Sequence, residues 1–278
     1  MVVPPTFSDL GKVAKDVFNK GFSIGSNKLT VKTKTAAGIS LSPSFELKND
    51  NLCAAFETSG SPAPGFTLKE KWCSGNVTKT NLVVEDKLAK GLKLDLEVVV
   101  NSGTGKKSAV AKTAYKTDGF NGTFDANLDL AGPTLLATAV TEYSGVQGGA
   151  EVGFDTEKSK LTKNTLALGY TNKDLTFVGF IKDLSVFEGL VHHKVCPDTE
   201  VAASLSYNKG TNACAFNFGT KHTLDKDTSL RMKVDCGGNT TLSVTHKVKP
   251  WLEATFSNSL NAKTMSGVSH GISLEANL

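Results

Sequence analysis

From Gly25 to the end of the chain, apolar and polar residues alternate, and only turn residues interrupt the alternation. A period of two sends successive side chains to opposite faces of a strand, so nearly the whole chain reads as sheet with one apolar and one polar face. Leu92, Leu94, Leu96, Val98 and Val100 face one way; Lys93, Asp95 and Glu97 face the other. Phe120, Phe124, Ala126, Leu128 and Leu130 alternate with Asn121, Thr123, Asp125, Asn127 and Asp129. Val268, His270, Ile272, Leu274 and Ala276 alternate with Ser269, Gly271, Ser273, Glu275 and Asn277. Turn signals such as Lys48-Asn49-Asp50, Ser61-Pro62-Ala63-Pro64-Gly65 and Asn172-Lys173-Asp174 recur at roughly 10 to 14 residues, the spacing of antiparallel hairpins. About nineteen strands fit between Gly25 and Leu278, and no linker or change of composition divides them.

That many strands in one closed sheet enclose too wide a space for side chains to fill. Turning the sheet inside out removes the difficulty: the apolar face meets lipid, the polar face lines water, and closure leaves no unpaired edge in hydrocarbon. The charge sorting agrees, because ionised residues sit almost wholly on the polar face. Hydrophobic residues make up 39% of the chain, which does not announce a deep packed core. No run approaches the roughly 18 apolar residues of a membrane helix, a test that strands escape. The longest apolar runs, such as Phe177 to Ile181, span a few residues each. A soluble sandwich or lipid-binding β protein is the competing reading.

The first 24 residues differ. Thr6 and Asp9 resemble a capping box, and Leu10, Val13, Ala14 and Val17 follow at helical spacing with Phe18 widening the stripe. One amphipathic helix is expected, opened by Pro4-Pro5 and closed by Gly21 and Gly25. A lipid-facing barrel leaves its apolar stripe a single surface to meet, the inner wall. The expected organisation is helix and hinge over 1–24 and barrel over 25–278.

Other chemistries find no support. Five cysteines, Cys53, Cys73, Cys196, Cys214 and Cys236, are scattered singly, without zinc or disulfide spacing. The five histidines show no metal spacing, and no nucleotide or nucleophile fingerprint occurs, so no enzyme, metal or cofactor is expected. A net charge of +4 is too small to imply nucleic-acid binding.

Several stretches carry a family resemblance. Val3-Pro4-Pro5-Thr6, Asp9-Leu10-Gly11-Lys12, Lys69-Glu70-Lys71-Trp72, Val84 to Leu94, Gly103-Thr104-Gly105-Lys106-Lys107 and Ala131-Gly132-Pro133-Thr134 are similar to the mitochondrial voltage-dependent anion channels, or mitochondrial porins. Ser269 to Ala276 is similar to the sorting signal of mitochondrial outer-membrane barrels. The resemblance implies an all-β membrane protein: a 19-stranded transmembrane β-barrel with the first and last strands parallel. It also implies an N-terminal amphipathic α-helix inside the pore. It implies a voltage-gated, anion-preferring channel of the mitochondrial outer membrane that passes ATP, ADP, phosphate and small metabolites. Membrane lipids and permeating anions and nucleotides are the implied partners, with weak contacts to ATP, ADP or NADH at most. Homo-oligomerisation and cytosolic kinase or apoptosis-related partners stay open. The related protein-import pore is a further alternative; it is expected to carry acidic lumen patches and a longer N-terminal extension.

Selectivity is expected to follow lumen charge. Lys12, Lys15 and Lys20 on the helix, with Lys32, Lys93, Lys112 and Lys116 on polar strand faces, are the candidate anion and nucleotide contacts. Lysine suits this because it holds phosphate as a mobile point charge. Asp9, Asp16, Gly21 and Gly25 are the gating and hinge candidates. Glu70 shares the apolar face of Phe66, Leu68 and Trp72, and is expected to be a lipid-facing carboxylate, interfacial or regulatory.

Overall fold

The computed structural model describes residues 3–49, 51–128 and 132–278. Met1 and Val2 of the expected segment 1–24, together with Asp50, Asp129, Leu130 and Ala131, lie outside the described residues. The strands are β1 Ser26–Lys34, β2 Ser40–Lys48, β3 Asn51–Ala63, β4 Phe66–Cys73, β5 Val77–Glu85 and β6 Leu92–Asn101. Next come β7 Lys107–Thr117, β8 Phe120–Asn127, β9 Thr134–Tyr143, β10 Val146–Asp155, β11 Lys160–Thr171, β12 Leu175–Lys182 and β13 Val186–Cys196. The last are β14 Thr199–Asn208, β15 Ala213–Thr223, β16 Thr228–Asp235, β17 Asn239–Lys249, β18 Leu252–Asn261 and β19 Ser266–Asn277.

Each strand pairs antiparallel with the next, and β1 closes the 19-stranded sheet by pairing parallel with β19 from Asn27↔Ile272 to Lys32↔Asn277. An odd number of up-and-down strands can close in no other way. With strands about 4.8 Å apart and tilted by about 40°, such a barrel is roughly 35–40 Å across between backbones. An α-helix, about 10 Å wide with its side chains, can lie inside and still leave an open path.

The outer face is apolar. Leu29, Phe45, Leu82, Leu96, Phe216 and Phe256 all stand 40% or more exposed. An exposed apolar band running round a closed barrel has lipid as its natural solvent. The turn expected over residues 61–65 is shorter than the sequence suggests. Strand β3 runs through Ala63 and only Pro64 and Gly65 turn, because a register shift between Gly60 and Ala63 absorbs Pro62.

The N-terminal helix is not continuous. Phe7–Asp9 forms a 3₁₀ turn and Lys12–Asn19 forms α1, with Gly11 between them in the left-handed conformation at φ 67°. A residue with a Cβ is strained there, so glycine sets the break. The capping box is replaced by another bond: the Thr6 hydroxyl donates to the Asp9 carboxylate at 2.8 Å, and no side chain caps a backbone N–H. The break also rephases the apolar stripe. Phe7, Leu10, Ala14 and Val17 are 6%, 1%, 1% and 2% exposed, whereas Val13 is 47% exposed. With the helix starting at Lys12, Ala14, Val17 and Phe18 form the wall-facing stripe and Val13 falls beside it.

Candidate functional site

The candidate site is the lumen, and its main feature is the inner belt made by the N-terminal segment. The belt begins at Pro4, whose carbonyl accepts from Asn121 Nδ2 on β8 at 2.9 Å. Phe7 meets Phe180 edge-on, with ring centroids 6.1 Å apart. Leu10, Ala14 and Val17 continue the contact against Val140, Ala167, Val178, Phe180, Leu190 and Ala202. These wall residues face inward on β9 and β11–β14. The wall thus carries an apolar inner patch, and β12 is apolar on both faces: Phe177 and Ile181 point outward, Val178 and Phe180 inward. The run Phe177 to Ile181 is the sequence signal of this dock. Glycines thin the wall beneath the belt. A Cβ at Gly149 would stand 3.0 Å from Phe7, and one at Gly219 would stand 2.9 Å from Phe18.

Elsewhere the inner face is polar and largely paired. Lys163 meets Glu151 at 2.9 Å, Lys221 meets Glu200 at 3.0 Å, and Lys182 bonds Glu188. His192, buried beside the belt, lies 3.4 Å from the same Glu200. A polar recess of about 330 Å³ opens between the belt and β6–β8, lined by Thr6, Lys93, Asp95, Lys112, Lys116 and Asp125. Among the described residues no group of histidine, cysteine or carboxylate side chains is arranged to hold a metal.

The model of the eukaryotic porin family matches residues 3–272. The chain belongs to the eukaryotic porin family. Among its relatives is the "non-selective voltage-gated ion channel VDAC2" of Meleagris gallopavo, 36% identical over 99% of this chain and 96% of the relative. The protein of the same name from Homo sapiens is 34% identical over 100% of this chain and 96% of its own length. That from Xenopus laevis is 36% identical over 99% of this chain and the whole of the relative. A solved mutant of the Rh. blastica porin superposes at a TM-score of 0.44 with 10% identity, over 90% of this chain and 96% of that one, too slight a likeness to bear on function.

In this porin the candidate lysines fall into two groups. Lys12 is paired with Asp9 at 2.8 Å, Lys20 with Asp16 at 2.7 Å, Lys32 with Glu275 at 2.5 Å and Lys112 with Glu97 at 2.8 Å. Lys15, Lys93 and Lys116 have no carboxylate partner among the described residues. Lys15 donates to the Leu10 carbonyl at 3.2 Å and lies 5.1 Å from the Phe180 ring centre. Loss of solvent there pushes its ammonium below the usual lysine value. The hydrogen bond from Lys12 holds the Asp9 carboxyl below its ordinary range. Lys93, Lys112 and Lys116 share the recess beside Thr6, whereas Lys12, Lys20 and Lys32 do not line it. Sequence reasoning missed the paired lysines Lys163, Lys182 and Lys221, and also Lys233 and Arg231, the only arginine, which have no carboxylate partner among the described residues. Lys233 donates to the Phe18 carbonyl at 2.9 Å and stands 4.4 Å over the Phe22 ring.

Gly21 and Gly25 have φ of 74° and 66°. Glu70 lies opposite Thr58 on β3 and Thr80 on β5 and shares its face with Leu68 and Trp72. Trp72 stacks on Phe56 at 5.7 Å, so this edge of the outer surface carries an aromatic pair.

Proposed function

We propose that this porin is a voltage-gated channel of the mitochondrial outer membrane that passes ATP, ADP, phosphate and other small solutes with a mild preference for anions. The closed, lipid-facing barrel with a water-lined bore carries the reading: it is a conduit, and its relatives bear the name of voltage-gated ion channels. Membership of the porin family supports reading the protein as a channel rather than an enzyme.

The anion preference rests on which lumen charges are left over after pairing. Inner carboxylates such as Glu97, Glu151 and Glu200 are held by a lysine, and Asp95 and Asp125 in the recess are not, while Lys15, Lys93, Lys116, Lys233 and Arg231 are cations without a carboxylate partner among the described residues. A wide aqueous bore screens these charges within about 8–10 Å, so the preference is mild. Nucleotides then pass with weak, transient phosphate contacts, and no resident cofactor is assigned.

Reversal potentials across planar bilayers in a salt gradient test this. Lys93→Glu and Lys116→Glu each take two units of positive charge from the lumen and should each lower the anion preference. An unchanged reversal potential in Lys93→Glu and Lys116→Glu would sink the assignment.

A further inference from the structure

Between α1 and β1 the chain passes through Gly21-Phe22-Ser23-Ile24-Gly25, whose two glycines invite the reading of a flexible hinge. The wall of β16–β19 holds the end of α1 and this stretch by four hydrogen bonds. Lys233 Nζ on β16 donates to the Phe18 carbonyl at the end of α1, where the free carbonyls and the helix dipole favour a cation. The Ser243 hydroxyl on β17 donates to the Gly21 carbonyl at 2.5 Å. The Ser23 N–H donates to Ser257 Oγ on β18 at 3.0 Å, and the Gly25 N–H donates to the His270 carbonyl on β19 at 3.1 Å.

The two serine oxygens are 3.0 Å apart, and the side chains are 1% and 0% exposed. Ser243 Oγ also lies 3.2 Å from the Phe256 carbonyl; with its proton on the nearer Gly21 carbonyl, the proton of Ser257 points to Ser243. The bonds then run in one direction, Ser23 N–H to Ser257 to Ser243 to the Gly21 carbonyl, and each hydroxyl donates once and accepts once. Gly271 on β19 completes the seat. A Cβ at that position would fall inside the Ser23 carbonyl, so the linker lies in a notch only glycine leaves open. The glycine of the C-terminal motif therefore has a task in the folded barrel.

We propose that residues 21–25 are an anchored seat rather than a hinge, and that Lys233, Ser243, Ser257 and Gly271 are positioning residues. They fix where α1 stands in the bore and set the voltage at which the open state is left. The voltage part rests on the channel reading above; the seat does not.

Amide hydrogen exchange on the full-length protein in micelles tests the seat. Ser23 and Gly25 amides should exchange as slowly as the strands around them. In Ser243→Ala/Ser257→Ala, Ser23 protection should fall tenfold or more. In planar bilayers, that variant and Lys233→Met should close at lower voltage, whereas Lys233→Arg, which keeps a donor and a charge, should close as the wild type does. Gly271→Ala, refolded in detergent so that no sorting machinery is involved, should lose Ser23 protection in the same way. Should it fail to fold, the serine pair still decides. Free-peptide exchange at Ser23 and Gly25 in the wild type would overturn the seat. Lost protection with an unmoved closing voltage would overturn its part in gating. A wild type that conducts but never closes would refute voltage gating while the exchange pattern still judged the seat.

Discussion

Truncating Leu10 to alanine separates a helix docked on the wall from one merely present in the bore. Leu10 is 1% exposed and packs with Phe7, Val178 and Phe180, and its side chain would lie 3.2 Å from a Cβ at Gly149. Buried leucine-to-alanine changes cost about 2–5 kcal/mol, the spread reflecting how far the site collapses. Here the wall is a rigid hydrogen-bonded sheet, but the belt can shift towards it. The loss should therefore sit near the lower end, about 2–3 kcal/mol, or roughly 30- to 150-fold in the opening equilibrium of the helix. The Lys15 and Lys20 amides report that opening directly, because they close turns of α1 on the Gly11 and Asp16 carbonyls, both at 3.0 Å. Their exchange in folded protein should accelerate by that factor. Val13→Ala is the control: Val13 is 47% exposed and alanine is the better helix former, so the change should be within about 0.5 kcal/mol of neutral. Equal acceleration in both variants, or none in Leu10→Ala, would refute the docking geometry.

Two further outcomes follow from named groups. The Asp9 carboxyl is held below its unfolded value, chiefly by the hydrogen bond from Lys12, so the stability it lends is present above the usual aspartate range of about 4 and is lost as pH falls through the lower folded value. The Asp9 and Leu10 amides, which close the 3₁₀ turn, should therefore lose protection only in acid; Asp9→Asn should abolish that dependence, and high salt should weaken it because the pair is solvent-exposed. Glu70→Gln should stabilise the barrel against urea by about 1–2 kcal/mol if the carboxylate lies in the apolar band, since a charge on the lipid face costs less only near the interface. No gain in liposome-reconstituted protein would place it at the headgroups instead.

How much of this was legible in the sequence depended on whether one face or two faces decided a residue's place. Strands such as β6 bury nothing but lipid-facing leucine and valine on one side and meet water on the other. Their period of two is therefore clean, and facing followed from it; the number nineteen rested also on the family resemblance. The belt is different. Val178 and Phe180 are inward residues that see neither lipid nor water, so they turn β12 into an unbroken apolar run that periodicity alone leaves ambiguous. The helix was legible as an amphipathic segment but not in phase. Gly11 reads as a tolerable interior glycine, yet its left-handed backbone stops the first turn and restarts the helix at Lys12, which moves Val13 out of the contact.

The lysines show the same limit from the side of charge. Sequence spacing placed Lys32 and Lys112 on polar faces, but their partners Glu275 and Glu97 come from neighbouring strands, and for Lys32 from the far end of the chain. Pairing across a closed sheet depends on register, which a strand-by-strand reading does not contain. The linker was furthest from view. Its grip comes from Ser243 and Ser257, two of many serines on polar faces, and only the return of β17–β19 alongside β1 makes them the partners of Gly21 and Ser23. A barrel closed by its first and last strands necessarily brings the C-terminal wall to the root of the N-terminal helix. The place where such a helix is held is therefore set by the closure itself, and glycines at that root are fitted to the wall as much as to motion.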